Sequence, residues 1–145
     1  MKPVSFLSSI PGKNFPWKKF LEPQVKALLK KEKKNAAVNI ILCDNKMQRE
    51  LNRNYRKLDC VTDVLSFEWN EPGLLGEIYI AEGQVKKQAP AYGNSYYREL
   101  KRVIVHGLLH LCGYDHCNKT ERKIMRKKEA FYLGNINAFR TFEFS

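Results

Sequence analysis

The chain has 145 residues, 43% hydrophobic and 12% aromatic. That is enough for one domain over 1–145 burying about two-thirds of its unfolded surface, and it excludes a disordered or staple-dependent chain as the expectation. Setting 15 acidic against 26 basic side chains leaves a net charge of +11, a positive field that either gathers polyanions, nucleic acid first among them, or serves solubility as a solvated lysine surface.

Met1 to Pro11 carries one lysine and no long apolar run, and no stretch approaches the ~20 apolar residues of a membrane helix, so a cytoplasmic protein without membrane contact is expected. Cys43, Cys60, Cys112 and Cys117 form no C-x-x-C pair and are read as ordinary reduced cysteines.

Val4 and Phe6 suggest a first strand, ended by Ile10-Pro11-Gly12. Trp17 to Lys34 has helical spacing through Phe20, Leu21, Val25, Leu28 and Leu29, with a heavily basic exterior. Ala37 to Cys43 reads as a buried strand, and Asp44 as the N-cap of a helix whose face is Met47, Leu51 and Tyr55. Val61 to Trp69 and Leu74 to Ala81 read as adjoining strands across a turn at Asn70 to Gly73. A short helix from Glu82 to Ala89 stops at Pro90. Ser95 then caps a stronger helix with the stripe Leu100, Val103, Ile104, Gly107, Leu108 and Leu111, ended by Gly113 in a left-handed turn. Asn118 or Thr120 opens the last helix, with Ile124, Met125, Phe131 and Tyr132 apolar among many basic residues. Strands and helices mix without strict alternation, which predicts an α+β fold with a small sheet and about five helices.

All three histidines fall between residues 106 and 116, in the run His106-Gly107-Leu108-Leu109-His110-Leu111-Cys112-Gly113-Tyr114-Asp115-His116. His106 and His110 share a helix face one turn apart, and the reversal at Gly113 swings His116 toward the same point. Three imidazoles with an open fourth position describe a catalytic zinc, one per chain. The spacing is also that of metzincin proteases, H-E-x-x-H-x-x-G-x-x-H, in which the residue after the first histidine is the catalytic glutamate. Here that residue is Gly107, so a peptidase would need another base, such as Asp115 or Glu129.

The same run resembles the H-G-x-L-H-L-x-G-Y-D-H signature of the YbeY family of bacterial rRNA maturation endoribonucleases. Leu51-Asn52, Tyr55-Arg56, Asp59 and Thr62-Asp63-Val64-Leu65-Ser66-Phe67 resemble that family's L-N-x-x-Y-R-x-x-D-x-x-T-D-V-L-S-F block, and Leu75-Gly76-Glu77-Ile78 its L-G-D-I segment. Met125 and Glu129 fit the helix that follows the histidines. The departures are Val61 and Glu68 where proline is common, Glu77 for aspartate and Cys112 for leucine; none removes an expected ligand.

The resemblance implies a metal-dependent endoribonuclease that cuts single-stranded RNA in rRNA maturation, at the 16S 3′ end and in ribosome quality control, with the small ribosomal subunit as partner. It implies His106, His110 and His116 as metal ligands, with His106 and Arg56 at the chemistry. Arg56 suits a scissile phosphate because its planar fork binds two oxygens at once; read without the resemblance, it is a surface ion pair with Asp59 or Asp63. Tyr114 and Asp115 are expected to support the last ligand. Arg56, Ser66, Lys30 and Arg122 are expected to contact substrate, with Tyr55, Phe67 or Trp69 available to stack a base, although Phe67 reads more readily as core. Water and the RNA 2′-OH both remain open as nucleophile. The alternatives are a zinc metallopeptidase and a non-catalytic ribosome assembly factor holding a structural zinc.

Overall fold

The computed structural model of the protein describes residues 3–57, 62–115 and 117–134. In chain order they form β1 (Val4–Ser8), α1 (Lys18–Lys31), β2 (Ala37–Cys43), α2 (Asn45–Arg56), β3 (Val64–Glu71), β4 (Leu74–Ala81), α3 (Glu82–Gln88), a 3₁₀ turn at Pro90–Tyr92, α4 (Tyr96–Leu111) and α5 (Lys119–Leu133). The expected α+β class holds. The four-stranded sheet runs β1-β2-β4-β3, with β1, β2 and β4 parallel and β3 antiparallel at the β4 edge.

Register explains how the sheet serves the site. Ile40 pairs with Ile78 and Leu42 with Ile80, while Ser66 pairs with Ile78 and Val64 with Ile80, so these side chains share one face. Ile40, Leu42, Ile78 and Ile80 are wholly buried there, in one core with Leu21 and Leu28 of α1 and Leu100, Ile104 and Leu108 of α4. Each such side chain contributes about 1.5–3 kcal/mol. α4 meets this face so closely that a Cβ on Gly107 would stand 3.1 Å from Ile78 Cγ2, Ser66 Oγ and Val64 Cγ2. On β4, a Cβ at Gly76 would stand 2.3 Å from the Phe67 carbonyl oxygen, which explains the glycine there.

The predicted caps are present: Asp44 accepts from the Met47 amide at 2.8 Å, Ser95 from Arg98 at 3.2 Å, and Asn118 from Glu121 at 2.9 Å. Gly113 ends the α4 turn at φ 103°.

Three expectations change. The first helix is shorter than Trp17 to Lys34, because Trp17 takes a left-handed conformation at its start and Lys33 another just past its end. In α2 the fully buried residues are Gln48 and Asn52, while Met47 and Leu51 of the expected face are half-buried and Tyr55 is 68% exposed. This orientation puts the Gln48 carboxamide where it donates to the Tyr79 carbonyl at 3.0 Å and accepts from the Cys43 thiol at 3.0 Å, satisfying polar groups that burial would otherwise penalise. In α5, Met125 and Glu129 are buried while Ile124 and Phe131 face outward. Phe131 packs beneath the Lys31 ammonium, 5.3 Å from the ring centre. The expected strand start at Val61 lies outside the described residues.

Glu32, just past α1, fastens that helix to the turn and helix after the histidines. It accepts from Tyr114 at 2.6 Å, from Lys128 at 3.2 Å and from the Tyr132 hydroxyl. Burial opposes its charged form, but these donors outweigh it and hold the carboxyl below its ordinary value of 4.5. A group depressed in the folded state contributes stability above its unfolded value, and loses it as pH falls through the folded one. Wild type is therefore expected to be more stable than Glu32→Gln at neutral pH, with the gap in urea midpoint closing as the pH passes below 4.5. A gap independent of pH would contradict this.

Candidate active site

α4 brings His106 and His110 to one face by its own periodicity, and their Nε2 atoms lie 3.2 Å apart. They stand in a cleft of about 810 Å³. β3 supplies its wall with Val64, Ser66, Phe67 and Glu68; the end of α2 supplies Tyr55 and Arg56; Thr62, Asp63, Leu111 and Asp115 complete the lining.

The spacing of the two nitrogens tests whether they fit a shared ion. Two imidazole nitrogens each about 2.05 Å from one tetrahedral ion lie about 3.3 Å apart, which agrees with the separation found. The other nitrogen supports the same reading. His106 Nδ1 is hydrogen-bonded to the carboxylate of Glu129, which is 7% exposed at its side chain. In the neutral tautomer whose Nδ1–H donates to this carboxylate, the lone pair falls on Nε2, the nitrogen that faces His110. His116, the third expected ligand, lies outside the described residues.

Arg56 is the last residue of α2. Lys57 caps the helix in a left-handed conformation at φ 60°, and Arg56 is exposed on the cleft rim. The ion pair with Asp63 that was the plainer reading is not formed, because Asp63 Oδ2 takes Gln88 Nε2 at 2.9 Å and Arg102 Nη2 at 3.4 Å. Asp59, the other suggested partner, is outside the described residues. The Ser66 hydroxyl donates to the Gly107 carbonyl at 3.1 Å, tying β3 to α4 and leaving its oxygen lone pairs for the cleft. Phe67, expected as core, is half-buried and lines the cleft. Its ring meets Tyr55 edge-on at 5.4 Å and Tyr79 at 5.7 Å, so Tyr55 has a rigid backing on the rim.

The remaining expected contacts fall elsewhere. Tyr114, expected beside the last histidine, gives its hydroxyl to Glu32. Lys30 lines a different pocket of about 470 Å³ with Lys26, Lys33 and Lys34, and Arg122 is exposed on α5; neither lines the histidine cleft. Trp69, on β3, is also outside it.

Asp115 lies on the cleft and also in a group with Cys117 and Glu121, whose ligand atoms fall within 4.8 Å of one another. In that group the Cys117 thiol donates to Glu121 at 2.6 Å. The cysteines behave as ordinary residues among those described. Burial pushes the Cys43 thiol up to about 12 and the Cys112 thiol to about 11, and the bond to Glu121 raises Cys117. Cys60 lies outside the described residues.

Two residues of the site escaped sequence reasoning. Glu129 is read from the sequence as a possible base and as a match to the helix after the histidines, but not as what the structure makes it, the partner of His106. Arg102 was not considered, although it stands four residues before His106 and eight before His110, on one helical face.

Residues 8–137 match the family model described as Endoribonuclease YbeY. An Endoribonuclease YbeY of Pelotomaculum thermopropionicum is 42% identical over 114 residues, covering 72% of this chain and 75% of the relative. One from Desulforamulus reducens is 41% identical over 130 residues, covering 81% and 85%. The solution structure of a Thermotoga maritima protein superposes with a TM-score of 0.64 at 30% identity, over 95% of this chain and 94% of that one. With the family's model spanning β2, β3, β4, the cleft and the paired histidines alike, the chain belongs to the YbeY endoribonuclease family.

Proposed function

We propose that the protein is a metal-dependent endoribonuclease that cuts single-stranded RNA during ribosomal RNA maturation, with the small ribosomal subunit as its working partner. One observation carries the reading: two imidazole nitrogens, 3.2 Å apart and one of them backed by a carboxylate, in a cleft whose rim holds an exposed arginine. His106 and His110, with His116, are the residues that would hold one divalent ion, zinc by the chemistry of an all-imidazole set. Such an ion supplies Lewis-acid charge to a phosphate oxygen or lowers the pKa of water.

The protein's own side chains do the rest. Arg56 binds the scissile phosphate through its fork and holds the extra negative charge that develops on it during cleavage. Tyr55, exposed and braced by Phe67, stacks a neighbouring base. The Ser66 oxygen, its proton already given to Gly107, accepts from a sugar or base donor. The net charge of +11 and the exposed lysines of α1 bring the polyanion to the molecule by long-range attraction. Among the described residues no helix is long and apolar enough to cross a membrane.

The peptidase alternative loses its base at Gly107, whose missing side chain would point into the sheet. Metal content, cleavage of a labelled single-stranded rRNA fragment and cleavage of casein should be measured on wild type, His110→Ala and Arg56→Ala at equal folded concentration. Wild type is expected to carry about one metal per chain and to cut RNA but not casein. His110→Ala should lose both metal and cleavage, and Arg56→Ala cleavage alone. Equal RNA cutting by all three proteins would sink the proposal and favour an assembly factor.

A further inference from the structure

Behind the cleft wall one guanidinium is shared between the Glu99 carboxylate of its own helix and the Asp63 carboxylate just before β3. Arg102, one turn before His106, forks onto Glu99, with Nε to Oε1 at 3.0 Å and Nη2 to Oε2 at 2.6 Å. Its Nη2 also reaches Asp63 Oδ2 at 3.4 Å. Gln88 repeats the bridge, giving Nε2 to Glu99 at 2.7 Å and to Asp63 at 2.9 Å. Asp63 lines the cleft, and its Oδ1 accepts from the Val64 amide at 2.8 Å, at the first residue of β3.

Glu99 is wholly buried and its Oε1 also takes a bond from Asn94 at 3.0 Å. Burial works against the Arg102 charge, but Glu99, with Asp63 and then Glu129, outweighs it and holds the guanidinium above the ordinary arginine value. Glu129 is the carboxylate that seats His106, so Arg102 lies within the field of both the cleft wall and the metal-facing ring. Stability alone gives little reason for a buried ion network, since apolar residues of the same volume are often as stable. A network set between two walls of one cleft has a geometric use instead.

We infer that Arg102 is a positioning residue of this site: its fork on Glu99 holds the Asp63 carboxylate, and with it the start of β3, at a set distance from the histidines on its own helix. The inference rests on the nuclease reading for its catalytic consequence, but not for the coupling itself.

The test compares wild type, Arg102→Lys, Asp63→Asn and the double variant, by amide hydrogen exchange, zinc affinity in chelator competition, and kcat and KM on single-stranded RNA. Lysine keeps the charge beside Glu99 but cannot fork, and Asp63→Asn removes the oxygen that Gln88 and Arg102 share. Each single variant is expected to speed exchange at Val64 and to lower kcat about a hundredfold, as small misplacements of catalytic groups do, with KM and zinc affinity unchanged. The double variant should lose no more than either single one. A merely structural role would lower thermal stability and leave kcat of the folded protein alone.

Unchanged exchange at Val64, or losses in kcat that multiply in the double variant, would overturn the inference. If Arg102→Lys does not fold, Asp63→Asn decides, since it leaves the Glu99 fork intact. If wild type cuts no RNA while exchange shifts as described, the nuclease reading fails and the coupling stands.

Discussion

The substitution Gly107→Glu is expected to unfold the protein, not to turn it into a peptidase. It would restore the glutamate of the metzincin pattern after the first histidine, so the histidine spacing alone recommends it. The fold forbids it. A Cβ at this position already meets Ile78, Ser66 and Val64 side-chain atoms at 3.1 Å, so even this one carbon makes its neighbours shift by a few tenths of an ångström. For Gly107→Ala, a helix-propensity gain of about 1 kcal/mol opposes an overpacking cost of about 1–3 kcal/mol, so the net effect runs from about zero to a loss of about 2 kcal/mol. Glutamate adds a longer chain and a carboxylate without a partner, which costs several kcal/mol more and removes most of the stability of a domain this size. Circular dichroism and urea denaturation check the loss, and a casein assay with a chelator control checks the activity. A folded Gly107→Glu protein with chelator-sensitive peptide cleavage would overturn this account of the glycine.

The second large effect is expected at Glu129. Removing its carboxylate in Glu129→Ala frees the His106 ring to rotate and to carry its proton on either nitrogen. Metal affinity should fall about 10–100-fold, the usual consequence of losing such a partner. Glu129→Gln keeps an oxygen that can accept from Nδ1, so it should fall between alanine and wild type. Chelator competition reads the affinity, and thermal melts of the metal-free proteins separate it from a loss of packing. Equal metal affinity in all three would show that the Glu129 contact does not orient the ligand.

Much of this was legible in the sequence because it rests on local rules. The caps at Asp44, Ser95 and Asn118, the stop at Gly113 and the placing of His106 and His110 on one face follow from spacing over a few residues. The strand Ala37–Cys43 could be read from its apolar run, since both faces are covered. What misled was the assumption that apolar residues always turn inward. Gln48 and Asn52 took the inner face of α2, where Gln48 bonds the sheet backbone, and Phe131 went outward beneath a lysine.

By itself, then, the sequence determined the α+β class, the element order, the paired histidines and the family. Only the tertiary structure decided which distant residues complete the site. Glu129 reaches His106 across 23 residues, and Asp63 reaches Arg102 across 39. No periodicity links positions so far apart. Their meeting depends on helix packing and strand register, which are set by the whole core at once. The same packing excludes the protease glutamate: α4 lies on β3 and β4 at a distance that only a glycine at position 107 allows without displacing its neighbours.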